Sequence, residues 1–112
     1  MSIVPVEKTT FSAVDAPAFS KALFALSPKQ VIVVGMETHI CVFQTARDLA
    51  AAGIEVHVPF DGVASRRDDH REVGLRLCER AGALRTTSET VAFDWLVRAG
   101  TDPFRAVSKA VR

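Results

Sequence analysis

Apolar positions along the chain follow two periods. Residues 31–34, "VIVV", have no polar position at all, the pattern of a strand buried on both faces. Residues 2–7 and 54–60 are short, β-branched and bounded by turn formers, and 83–87 form a further short run, so all three predict strands. Between them the period lengthens to that of a helix. Phe19, Ala22, Leu23 and Leu26 share one face of a helix over 15–26, opened by Asp15 and Pro17 and closed by Ser27-Pro28. Residues 41–52 predict a helix ended by Gly53. Residues 65–82 predict another, with Val73, Leu77, Cys78 and Ala81 on one face. A serine-capped helix over 88–100 has a stripe of Val91, Trp95 and Leu96, and 102–111 reads as a last helix. Strands alternating with helices of this length predict an α/β layered fold with a parallel sheet. The 112 residues suit one domain, 1–112.

Composition narrows the function classes. The formal net charge of +1 gives no basic footprint for nucleic acid and no acidic tail. No apolar stretch approaches the roughly 20 residues of a membrane span. The N-terminus does not have the pattern of a signal peptide. Neither Cys41 nor Cys78 sits in a metal-ligand spacing or a disulfide framework, which fits a reducing, cytoplasmic setting.

In open parallel sheets, sites gather at the carboxyl ends of strands. Three turns qualify: Lys8 with "TTFS", "GMETHIC", and Asp61 with "GVASRR". A helix starting near Cys41 would aim backbone N–H groups and a positive dipole end at the sulfur, an environment that suits a thiolate or an oxyanion. By residue type alone the opposite reading of Cys41, as a small buried residue, leads. Lys8 by itself reads as a solvated lysine, and His39 as an exposed or pocket-rim residue. Asp61 reads as a turn former, Ser65 as a helix cap and Cys78 as core. Phe11 fits core or pocket wall equally.

Together these residues resemble the isochorismatase-like cysteine hydrolases. "EKTTFSAV" (7–14) is similar to the family's Lys followed by a Phe-Ser pair. "VIVVGMETHICVFQTARDL" (31–49) resembles its G-x-x-T-x-x-C-V signature. "GIEVHVPFDGVASR" (53–66), 81–96 and 104–112 resemble the segments that follow. The resemblance implies a three-layer αβα, Rossmann-like fold with a mainly parallel sheet, here of about four strands. It implies hydrolysis of a small amide or related carbonyl compound by a Cys, Asp and Lys triad. Cys41 would be the nucleophile and Lys8 its partner. Phe11, Met36, Glu37, Thr38 and His39 would line the pocket, with a cis peptide joining Met36 to Glu37. No cofactor or metal is implied.

The family's aspartate lies in a first strand, well before the lysine, and no residue here corresponds to it; neither Asp15 nor Asp61 fits the role. In the family's strand order, 3-2-1-4-5-6, strands one and two have no counterpart, and they would lie between the Lys8 strand and "VIVV". The chain therefore reads as a short or truncated member of doubtful activity. Either the Lys8 strand pairs with "VIVV", or a second copy or a related full-length chain covers that edge. The competing reading is an inactive remnant serving as a binding or oligomerisation module. A thiol redox protein is a weaker third, since Cys78 offers no resolving partner.

Overall fold

The computed structural model describes residues 4–111. In chain order its regular elements are α1 (Pro17–Ala25), β1 (Gln30–Ile32), β2 (Gly35–Met36), α2 (Phe43–Ala51), β3 (Glu55–Pro59), β4 (Val63–Ala64), α3 (Asp68–Arg80), β5 (Leu84–Thr86), α4 (Ser88–Leu96) and α5 (Asp102–Ala110). A π-helical turn, Thr38–Val42, leads into α2. The main sheet has the order β1-β3-β5, all parallel, with Val31 opposite Val56 and Val58 opposite Arg85. A short parallel ladder of β2 and β4 sets Gly35 opposite Val63 and Met36 opposite Ala64. Parallel neighbours need long crossovers, and the helices supply them. The fold is α/β, in the three-layer, Rossmann-like arrangement.

The core lies on one face of the sheet. Val56 and Val58 of β3 meet Val42, Ala46 and Leu49, which recur at i, i+4 and i+7 along the π turn and α2. Leu75 and Cys78 of α3 close the cluster. Burying each of the larger aliphatic side chains is worth about 1.5–3 kcal/mol relative to exposure. Across the sheet, Ile32, His57, Leu84 and Thr86 border a cleft of about 650 Å³ whose far wall is Val91, Asp94 and Trp95 of α4. Helix α4 pairs with α5 through an edge-on contact of Phe93 and Phe104, ring centroids 5.7 Å apart. Among the described residues no helix is long and apolar enough to cross a membrane.

Several details differ from the sequence expectations. Residues 2 and 3 of the predicted first strand lie outside the described residues, and 4–7 form no strand. Pro5 offers no N–H, and no neighbouring strand pairs with this segment. β1 therefore has β3 as its one partner among the described strands, and "VIVV" is not buried on both sides: Val34 is 59% exposed. Trp95, placed on the apolar stripe of α4, is 71% exposed beside the open cleft. Helix α3 is turned from its expected face. Gly74, Leu75 and Cys78 point inward while Val73 and Leu77 are exposed. Thr87 rather than Ser88 caps α4, its hydroxyl accepting from the Thr90 N–H at 2.9 Å.

Candidate active site

β1 gives way to Gly35, whose φ of +115° is open to glycine and strained for other residues. The Met36–Glu37 peptide that follows is cis. The chain then winds through the π turn, which holds Cys41 half-buried. Lys8 reaches the same place from the other end of the chain. Its Nζ donates to the carbonyls of Thr10 at 2.8 Å and Phe11 at 3.0 Å, and lies 3.7 Å from the Cys41 sulfur. An ammonium has three N–H donors, so these three acceptors account for all of them.

Both side chains line a cavity of about 330 Å³ along the open edge of β1. Val31 to Val34, Phe19, Met36 and Leu49 make most of its wall, and Thr45 adds a hydroxyl. No carboxylate is among its lining residues.

Of the other residues assigned to the pocket, Met36 lines this cavity with Lys8 and Cys41. Phe11 is 59% exposed, and its contribution is the carbonyl that holds Lys8. Glu37, Thr38 and His39 turn toward the segment after β4. Glu37 accepts from the Arg66 backbone N–H at 2.8 Å and from its guanidinium at 3.1 Å. The backbone N–H of Arg66 foremost, with its charge, holds the Glu37 carboxyl below the usual carboxylate range. Thr38, fully buried, donates its hydroxyl to the Ala64 carbonyl at 3.0 Å and its N–H to Ser65 Oγ at 3.1 Å. His39 Nδ1 is 3.1 Å from the same Ser65 oxygen, and its ring lies against His70, centroids 4.8 Å apart. The N–H groups of Ile40 and Val42 are taken by the Glu37 carbonyl.

Ser65 is thus no helix cap; Arg67 occupies that position on α3, and Ser65 instead pins the cysteine turn. Asp61 accepts from the Ser88 N–H at 2.8 Å and its hydroxyl at 3.0 Å, tying the turn after β3 to the start of α4. The Ser88 N–H holds the Asp61 carboxyl low. Cys78 is buried among apolar side chains, and that burial pushes its thiol up to about 11.

Three contributors were missed from the sequence. Gly74 lets α3 approach the backbone of Thr38 and His39, where a Cβ would come within 2.6 Å of the His39 nitrogen. Thr45 accepts the Ala13 N–H at 2.9 Å, and Ser12 packs, fully buried, beside Asp48. The signal for the last group was its spacing: Cys41, Thr45 and Asp48 stand at i, i+4 and i+7 on one face of the helix.

Residues 3–90 match the Isochorismatase domain family. Isochorismatase domain-containing protein 2A of Mus musculus is 39% identical over 98% of this chain and 53% of its own length. The MAR1 ribonuclease structure from Caenorhabditis elegans superposes with a TM-score of 0.79 at 37% identity, over 91% of this chain and 52% of that one. The YcaC gene product of Escherichia coli, described as an octameric hydrolase of unknown specificity, superposes with a TM-score of 0.68 at 28% identity, over 72% of this chain and 40% of its own. The chain spans about half the length of the curated relatives it matches. The glycine-to-cysteine turn, the parallel sheet and the matched residues agree, and the chain belongs to the isochorismatase domain family.

Proposed function

We propose that this chain carries the nucleophilic part of a cysteine hydrolase site for a small amide or related carbonyl compound. The observation that carries the reading is the approach of Lys8 Nζ to within 3.7 Å of Cys41 Sγ at the wall of an apolar cavity. The nucleophilic form of a cysteine is an anion, and the ammonium places a positive charge beside it. The sulfur attacks the carbonyl carbon and forms a C–S bond; the C–N bond then breaks and the amine leaves with a proton. Water cleaves the thioester, releasing the acid and restoring the thiol. Met36 and the β1 wall suit an apolar substituent on the carbonyl. No cofactor enters this scheme.

The proton given to the leaving amine is where the site is poor. Among the described residues no carboxylate lines the cavity, and Lys8 is already committed to three acceptors. A positioned acid or base is commonly worth about 10²–10⁴-fold in rate, so turnover by this chain is expected to be weak. A panel of small amides and esters, assayed with wild type and Cys41→Ala, tests this. Slow, Cys41-dependent turnover or a trapped thioester supports the reading. Turnover unchanged in Cys41→Ala would sink it.

The C. elegans neighbour bears a ribonuclease name. Against carrying that over stands the formal net charge of +1, which offers a polyanion little attraction, so a small-molecule substrate is preferred. We place the chain in a reducing, cytoplasmic setting, in keeping with its two free thiols.

The second reading is a binding module. It is favoured by the open edge of β1, where Val34 lies exposed beside the cavity. Association there, with a second copy or a longer relative, would cover the apolar wall, and the E. coli neighbour is described as octameric.

A further inference from the structure

We infer that Thr45 is a positioning residue that docks the Lys8 turn onto α2 in register with Cys41. The inference rests on reading Cys41 and Lys8 as the reactive pair. Cys41 and Thr45 lie one turn apart on one face, so the helix that follows the sulfur also carries the dock for its partner.

The dock is a hydrogen bond from the Lys8 segment to α2. Thr45, only 7% exposed, accepts the Ala13 N–H at 2.9 Å. The neighbouring Ser12 is fully buried, and its hydroxyl is the main reason the Asp48 carboxyl sits below its usual range. Ser12 Oγ also accepts the Val14 N–H at 3.3 Å.

From Ala13 back to Lys8 the chain is cross-tied. Thr10 Oγ1 donates to the Ser12 carbonyl at 2.8 Å, and Lys8 Nζ holds the carbonyls of Thr10 and Phe11. A segment folded on itself this way moves as a unit, so fixing Ala13 and Ser12 fixes where the ammonium points. Without the Thr45 oxygen a part-buried N–H loses its acceptor and the unit is free to shift along α2. Thr45 therefore acts on the sulfur through Lys8.

The test is the rate at which iodoacetamide alkylates Cys41 at neutral pH, read by peptide mass. It is measured in wild type, Thr45→Val, Thr45→Ser, Lys8→Met and the Thr45→Val/Lys8→Met double variant. Cys78 serves as an internal fold reporter, since it stays unlabelled while the core is intact. Lys8→Met is expected to slow Cys41 by about fivefold, the effect of one unit charge at roughly 4 Å through water. Thr45→Val should slow it comparably, Thr45→Ser should restore it, and the double variant should be no slower than Lys8→Met.

If Lys8→Met slows Cys41 and Thr45→Val does not, the docking role is overturned and the reactive pair stands. If the two effects multiply, Thr45 acts independently of Lys8 and the inference is again overturned. If Lys8→Met leaves the rate unchanged, the reactive pair itself falls and takes the docking role with it. Should Thr45→Val expose Cys78 to label, Thr10→Val decides the matter by cutting the tie to the Ser12 carbonyl. Slowed Cys41 with Cys78 protected supports the inference, and an unchanged Cys41 rate overturns it.

Discussion

Gly74 of α3 sits directly against the backbone of His39: an added Cβ would lie 2.6 Å from the His39 nitrogen. The neighbour is backbone, so no side-chain rotation relieves the contact. Gly74→Ala should destabilise the protein by about 1–3 kcal/mol, the usual range for overpacking. Helix propensity alone would move stability the other way by about 1 kcal/mol. Urea unfolding decides between them, and a stabilised variant would show that the turn carrying Cys41 yields to α3.

The two thiols should separate cleanly in reactivity. Cys41 is half-buried and lines the cavity beside Lys8, whereas Cys78 is 1% exposed with its thiol pushed up to about 11 by burial. Iodoacetamide under native conditions should label Cys41 alone, and Cys78 only after denaturant is added. Preferential labelling of Cys78 in the folded protein would reverse the assignment of nucleophile and core.

The Glu37–Arg66 contact should appear in acid stability. The Arg66 N–H and guanidinium hold the Glu37 carboxyl below its usual range in the folded chain. The folded value therefore lies below the unfolded one. The contribution is complete above the unfolded carboxylate range and is lost as pH falls through the folded value. Wild type should lose stability more steeply than Glu37→Gln between about pH 5 and pH 3. Parallel curves for the two proteins in that window would mean the contact contributes nothing to folding.

Association should run through β1. The edge strand is short and apolar, with no proline or charge between residues 31 and 34 to discourage pairing. Light scattering over a dilution series should show a concentration-dependent larger species. Val34→Lys, on an exposed position, should shift the series toward monomer. A wild-type chain that stays monomeric at every concentration argues that the edge is covered from within.

The fold was largely legible because strands and helices here differ in period, and the glycine-to-cysteine turn was legible as a motif. The rotation of α3 was not. Its inward face is centred on Gly74, which carries no hydrophobic signal, so counting apolar residues favoured Val73 and Leu77 instead. Residues 4–7 have strand-like composition, but a strand needs a neighbour, and pairing is not a local property. Ser65 was misread because a helix cap and an acceptor for a distant N–H call for the same hydroxyl. Glu37, Thr38 and His39 belong to the motif. Sequence gave no way to see that their polar groups face the 64–66 segment while the cavity opens on Met36 and Cys41.

The order β1-β3-β5 is also the order of synthesis. No strand in this sheet is inserted between two already placed, so each can add to the one before it as soon as its connecting helix has emerged. Contacts then accumulate between segments roughly 25 residues apart, a spacing at which loop closure costs less than a return to the chain's beginning would. The long-range joint is that of Lys8 with Cys41, 33 positions apart and dependent on a finished α2 for its dock. All of these residues precede β3, so the reactive pair can be drawn together before the sheet is complete, and Ser65 and α3 pin its turn only afterwards.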